Sequence, residues 1–332
     1  MANRGFGRAM RGILVALAMT GVVAAGGAPA LAQDADLGSL SGEIVSDGSS
    51  TVGPMTQAVA EEFNAQAPNV QISVDISGTG GGFERFCQGE TDVQNASRPI
   101  DEEEAAICAE NGVDWYEFEV AYDGITVVTN PENAFLECLT TEQLASIWQM
   151  DGAQTWADVS PEWPAETINL YGPGTDSGTF DYFVEAILGE NEIRQDFTPS
   201  EDDNVLVEGV SGDANSLGYF GAAYYQENQD ILKAVAIDNG EGCVVPTPES
   251  IQDGSYAPLS RPLFVYVRAD SLERPEVAEF MRFYLTDAAA LAPEVGYVAS
   301  PEDVYAADVE SLESALSGAG TPDSAAAATP EA

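Results

Sequence analysis

Histidine is absent from this chain, and lysine occurs once, at Lys233. The first absence removes the usual base of serine and cysteine hydrolases and the main ligand of zinc and copper sites. No G-K-[ST] run offers the phosphate loop of a nucleotide hydrolase, and no D-x-D-x-D-G loop offers a calcium site. Past residue 32 no apolar run approaches the roughly 20 residues that span a bilayer. Positive charge is scarce as well: 11 Lys and Arg stand against 56 Asp and Glu, a formal net charge of -45 at pH 7. Such a chain is expected to bind no nucleic acid and no anionic membrane.

What is present is the composition of a folded chain. The 332 residues are 45% hydrophobic and 20% charged, enough for a large core and about two domains. Residues 1–32 read as a secretory signal peptide: Arg4, Arg8 and Arg11 precede the apolar run from Ile13 to Ala25, and Ala30-Leu31-Ala32 supplies small residues for cleavage. No cysteine stands there to take a lipid anchor, so a soluble, exported, periplasmic chain is expected. Loss of the three leader arginines brings the formal charge to about −48. That surface repels a diffusing anion at long range, so an anion site here must rely on short, desolvated hydrogen bonds. Adaptation to salt or solubility accounts for the acidity without any partner.

Cys87, Cys108, Cys138 and Cys243 are even in number in an exported chain, which favours disulfides over metal binding. Three pairings exist. Cys87–Cys108 with Cys138–Cys243 is expected because it keeps each bridge inside one of the domains drawn below.

Three glycine- and hydroxyl-rich stretches stand out: Gly48-Ser49-Ser50-Thr51, Ser77-Gly78-Thr79-Gly80-Gly81-Gly82, and Tyr171 through Phe180. Each sits between strand and helix signals. Glu43 to Val45 reads as a strand and Pro54 suits the first turn of a helix through Phe63. Val70 to Ile76 alternates apolar and polar, with Phe83, Phe86 and Cys87 marking the next helix. Ile168 to Tyr171 leads into a stretch whose Phe180, Phe183, Val184 and Ile187 share a helical face, stopped by Gly189. Asp101 with Glu104, and Thr140 with Gln143, are capping-box spacings, the first helix closing at Gly112. Alternating strands and helices predict an α/β protein, and loops at strand C-termini are where such sheets bind ligands. Tyr122 to Thr129 and Pro262 to Val267 read as crossings between two lobes, 34–122 with 264–316 and 123–263, and Val277, Phe280, Met281 and Tyr284 give the first lobe a late amphipathic helix. The stretch 317–332, rich in Ala, Gly, Pro and Thr, reads as a disordered tail.

A helix that opens just after Gly, Ser and Thr presents N–H groups, hydroxyls and the positive end of its dipole, which together cradle an oxyanion. Asp176-Ser177-Gly178 has the look of a nucleophile's surroundings, but a Ser–Lys pair would have to use Lys233, whose setting in Ile231-Leu232-Lys233-Ala234-Val235 is ordinary. No carboxylate pair is singled out for glycoside hydrolysis. Binding is therefore expected rather than catalysis, with no cofactor and no metal.

Ser77 through Phe83, Asn95-Ala96-Ser97-Arg98-Pro99-Ile100, Tyr122-Asp123-Gly124, Tyr171 through Phe183 and Ser200 through Asn204 resemble the phosphate-binding subunit of the bacterial phosphate ABC importer, over about 38–315. The resemblance implies the type II periplasmic binding-protein fold, two α/β lobes joined by two crossing strands. It also implies a monomer that captures inorganic phosphate and delivers it to a membrane-embedded ABC permease. Ser50 and Thr51 match the first donor loop, Thr79 and Gly80 the second, and Ser177, Gly178 and Thr179 the donors of the opposite lobe. Two positions depart from the enterobacterial pattern: Pro173 stands where that family has an arginine, and Arg98 follows Ser97 where it has an aspartate. Arg98 is therefore expected to supply the guanidinium and Asp176 the carboxylate that accepts the proton of phosphate, which sulfate lacks. A cross-cleft Arg98–Asp176 pair, or a helix cap by Asp176, is the structural alternative. Arg85, Arg261 and Arg268 are expected to form ion pairs, and Asp123 to line the cleft or shape a turn. A receptor for sulfate or arsenate, a secreted phosphoester hydrolase, and an acidic cell-surface protein on the same scaffold stay open.

Overall fold

A computed structural model describes residues 36–175 and 177–324; the expected leader, Asp176 and residues 325–332 lie outside the described residues. In chain order the first elements are β1 (Gly42–Gly48), α1 (Gly53–Gln66), β2 (Val70–Val74), α2 (Thr79–Cys87), β3 (Val93–Ala96), α3 (Glu102–Asn111) and the long β4 (Trp115–Thr129). Next come β5 (Cys138–Thr140), α4 (Thr141–Trp148), α5 (Trp156–Val159), β6 (Asn169–Gly172), α6 (Gly178–Phe183), β7 (Thr198–Pro199), α7 (Asp203–Ser211), β8 (Ser216–Gly221) and α8 (Ala222–Glu227). Short strands β9 (Lys233–Ala234), β10 (Ala236–Asp238) and β11 (Cys243–Val244) precede α9 (Pro248–Gln252), β12 (Ser260–Arg268), α10 (Pro275–Glu294) and α11 (Glu302–Leu316).

Local sequence sets most of these boundaries. Asp101 accepts from the Glu104 N–H at 2.8 Å while the Asp101 N–H donates back to Glu104, closing the box that starts α3; Gly112 ends it at φ 69°. Thr140 and Gln143 repeat the device on α4, and such caps contribute about 0.5–2 kcal/mol each. The helix that begins with α6 continues as a π-helical turn over Val184–Leu188 and stops at Gly189, φ 58°.

The strand order is β2-β1-β3-β12-β4-β8-β6-β7. Strands β1, β2 and β3 are parallel, and β12 returns antiparallel between β3 and β4. β4 serves both halves: Trp115 to Gly124 pair with β12, and Ile125 to Thr129 pair with β8. The core divides at the same place. Of the two larger apolar clusters, one holds Ile44, Phe63, Ala121, Leu263, Val265, Phe280 and Tyr284 and the other Ile125, Trp148, Leu170, Phe183, Tyr219 and Leu259. The change-over lies between Ala121 and Ile125 on one crossing and between Leu259 and Leu263 on the other. Val298 belongs to the second cluster and bridges to Tyr122, so a third segment of chain joins the change-over.

Disulfides join Cys87 to Cys108 and Cys138 to Cys243, tying α2 to α3 and β5 to β11. The early part of the tail departs from the disordered reading. The Asp323 carboxylate accepts from the Glu117 N–H at 2.9 Å, the Asp323 N–H donates to the Trp115 carbonyl at 3.0 Å, and Ser324 reaches Asp114. Here β4 has an open edge, and an edge with unpaired N–H groups gains by being covered. Low-complexity composition does not reveal that demand. Among the described residues no helix is long and apolar enough to cross a membrane.

Candidate functional site

The C-terminal ends of β1 and β3, together with β12 and the loop after β2, open onto a cleft of about 240 Å³ lined by Ser49, Ser50, Thr51, Gly78, Thr79, Gly80, Ser97, Arg98 and Arg261 on one side and by Asp181, Tyr182 and Glu185 of the helix starting at α6 on the other. Asp47 builds the first wall. One of its buried carboxylate oxygens accepts from the N–H groups of Gly48 at 2.7 Å and Ser77 at 3.0 Å, so a single side chain registers two loops. Arg85 neutralises it through a short ion pair. The Gly48 backbone, at φ 129°, passes so close to β3 that a Cβ would lie 2.2 Å from the Asn95 carbonyl oxygen, which only glycine tolerates. Ser49 Oγ accepts from the N–H groups of Thr51 and Val52 and so holds the loop that leads into α1. Thr79 Oγ1 meets Ser97 Oγ at 3.1 Å and accepts from the Ser97 N–H, joining the second loop to the end of β3.

Six of the residues read from sequence, Ser50, Thr51, Thr79, Gly80, Ser97 and Arg98, come together in this lining. Ser177, Gly178 and Thr179 stand beside it. Ser177 caps α6 by accepting from the Thr179 N–H at 3.2 Å, and Gly178 lies so near Thr51 that a Cβ there would sit 3.1 Å from the Thr51 Cα. Asp176 lies outside the described residues. The two walls therefore touch at Gly178 and Thr51, and the open space is bounded on the second side by the flank of the helix rather than by its N-terminus.

Arg98 forms a two-pronged ion pair with Glu104, at 2.7 and 2.8 Å, and also donates to the Pro99 carbonyl. This partner lies on Arg98's own lobe; the cross-cleft pair with Asp176 lies outside the described residues. Arg261 forms the expected ion pair, with Asp123 at 3.3 Å, and beyond that lines the cleft, donates to Thr51 Oγ1 at 2.9 Å and stacks 3.6 Å from the Tyr182 ring centroid. Burial pushes the Asp123 carboxyl up while Arg261 pulls it down. Burial also raises the Asp181 carboxyl; Arg261 opposes this and Glu185 adds to it. Asp181, Tyr182 and Glu185 were not read as site residues, since nothing in their local sequence separates a cleft-facing position from a solvated one. Lys233 is committed elsewhere, to Glu137 at 2.6 Å and the Asn133 carbonyl. It gives Ser177 no base.

Two α/β lobes, crossing strands and a small polar cleft between them define a solute-binding protein of the type II periplasmic class. A family model described as the PBP superfamily domain matches residues 24–288. Within that superfamily the chain belongs to the phosphate-binding protein family. It is 49% identical over 267 residues to Protein SphX of Synechocystis sp., covering 79% of this chain and 80% of that protein. It is 40% identical over 282 residues to the phosphate-binding protein PstS of Staphylococcus saprophyticus, covering 84% and 87%. The crystal structure of a possible phosphate binding protein from Planctomyces limnophilus matches with a TM-score of 0.80 at 50% identity, covering 84% of this chain and 100% of that one.

Proposed function

We propose that this chain is an exported, monomeric solute-binding protein that captures inorganic phosphate in the cleft and delivers it to a membrane-embedded ABC permease, without chemistry of its own. The observation that carries the reading is the convergence of Ser50, Thr51, Thr79, Gly80, Ser97, Arg98 and Arg261 on one small space in a chain of net charge -45. Hydroxyls, backbone N–H groups and guanidinium groups offer the short, directional bonds that such a chain needs to hold an anion against its own field. Ser177, Gly178 and Thr179 complete the donor set from the second lobe, 123–263, facing the lobe of 34–122 and 264–316. The secretory signal over 1–32 and the periplasmic location belong to the same reading.

Selectivity follows from the acids of the second wall. Near neutral pH phosphate still carries a proton to donate and sulfate does not, so a carboxylate on the cleft leaves sulfate facing an unsatisfied acceptor. Asp181 occupies such a position, on the lining and in the field of Arg261. We assign the role to Asp181 together with Asp176. Titration calorimetry of the mature, phosphate-stripped protein tests the whole reading: one-to-one heat with phosphate and none with sulfate is expected. Equal heat from sulfate would make it a general oxyanion receptor. Silence toward both anions, with turnover of a chromogenic phosphate ester, would replace the receptor by a hydrolase.

A further inference from the structure

We propose that Arg261 holds the two cleft walls at the spacing an anion requires, orients the first-wall donors toward it and itself offers Nη1 to the anion. The proposal rests on the oxyanion reading of the cleft.

Arg261 sits on β12 directly opposite Asp123 on β4, so it reaches the cleft lining from a crossing strand. Its guanidinium is mostly buried, with 15% of the side chain exposed, and each direction in which it can interact is taken by a different part of the fold. Toward the first wall, Nη2 donates to Thr51 Oγ1 at 2.9 Å. Toward the crossing, Nε and Nη2 reach Asp123 Oδ2 at 3.4 and 3.3 Å. Its face lies 3.6 Å from the centroid of the Tyr182 ring, and Nη1 stands 3.6 Å from Glu185 Oε2, both on the second wall. Tyr182 is in turn anchored by its hydroxyl to the Pro258 carbonyl at 2.8 Å, three residues before Arg261 on the same chain segment. Among the described residues Arg98, the other cation on the lining, pairs with Asp101 and Glu104 on its own lobe. The walls cannot shift past one another without breaking at least one Arg261 contact.

The same contacts give Arg261 a chemical role. Thr51 Oγ1 accepts the guanidinium proton, which leaves the Thr51 hydroxyl hydrogen to donate elsewhere, and the cleft is the open side. The Thr51 carbonyl is fixed from behind by the Tyr297 hydroxyl, so this loop is held at two points. Glu185 is 77% exposed and its contact with Nη1 is long, so it is the partner an entering dianion displaces most cheaply. The anion then takes Nη1, and one planar cation connects it to Asp123, Thr51 and the Tyr182 ring together. A lysine ammonium has neither the fork nor the flat face to do this.

The test uses the mature full chain and inorganic phosphate. Arg261→Lys and Asp123→Asn are compared with the wild type by titration calorimetry and, without phosphate, by small-angle scattering. Arg261→Lys is expected to weaken phosphate roughly ten- to hundredfold, the scale of a lost charged hydrogen bond, and to raise the radius of gyration of the unliganded protein as the walls part. Asp123→Asn keeps the size of the side chain but removes the negative charge that orients Arg261, and should move both readouts in the same direction by less. A merely structural arginine would lower the melting temperature while leaving the Kd of the folded protein and its radius unchanged, and that result overturns the proposal. Should Arg261→Lys fail to fold, an unaltered Kd in folded Asp123→Asn overturns it equally. Absence of phosphate binding by the wild type would instead bring down the oxyanion reading itself.

Discussion

Glu104 grips Arg98 with both carboxylate oxygens while serving as the third residue of the capping box that starts α3. The arginine on the cleft is thereby fixed by the helix behind it. An oriented guanidinium binds an anion without first losing side-chain freedom. Glu104→Gln retains the cap but halves the fork, and phosphate Kd is expected to rise about tenfold, or about 1.4 kcal/mol. Calorimetry on the variant, with an unchanged melting temperature as control, checks it.

Asp181 faces the cleft and is expected to read the proton on the ligand. Asp181→Asn should weaken phosphate while improving sulfate, reducing the phosphate-to-sulfate affinity ratio by about tenfold, the scale of one unsatisfied acceptor. A ratio equal to that of the wild type would remove Asp181 from selectivity and leave Asp176 as the carboxylate to examine.

Gly48 joins an unfavourable φ of 129° to the near contact with the Asn95 carbonyl. Gly48→Ala should destabilise the protein by about 1–3 kcal/mol or more, the range for strained backbone. Because the first donor loop starts here, phosphate affinity should fall too. Urea unfolding gives the first quantity and calorimetry the second.

The bridge from Cys138 to Cys243 spans 105 positions in sequence and that from Cys87 to Cys108 spans 21. In the chain-entropy account the longer loop is worth about 4–5 kcal/mol and the shorter about 3. Replacing both Cys138 and Cys243 by serine should therefore cost more stability than replacing Cys87 and Cys108. Denaturation midpoints of the two double variants decide the order.

Burial, with help from Glu119, Glu117 and Asp323, pushes the Asp308 carboxyl up to about 7. Its folded-state value lies above its unfolded one, near 4. Between those values the folded protein holds a proton that the unfolded chain releases, so this group lowers stability progressively as pH rises from about 4 to about 7. Asp308→Asn keeps an acceptor for the Glu119 N–H, bonded at 3.0 Å, and removes that dependence. The variant should gain on the wild type between pH 5 and pH 8, measured by denaturant unfolding at each pH.

Elements whose cause is local were legible. The α3 and α4 caps, the stops at Gly112 and Gly189 and the apolar face of α10 depend on residues within a turn or two of one another, and the structure has them where the spacing put them. The loops between strand and helix were legible for the same reason, and Ser50, Thr51, Thr79 and Gly80 from them share one lining. The covered edge of β4 was not, because the need that Asp323 meets arises only once Glu117 is in a strand.

Arg98 and Arg261 mark the division. Arg98 pairs with a residue 6 positions away, so a motif of a few residues already contains its environment. Arg261 meets Asp123 across 138 positions and Thr51 across 210. Both contacts exist only because β12 returns antiparallel to β4 in one register, and a shift of one residue would turn the guanidinium to the other face of the sheet. By itself the sequence determined the locally capped elements, the glycine- and hydroxyl-rich loops between strand and helix, and the family; tertiary structure decided which cation touches both walls, since that depends on strand register and long-range packing.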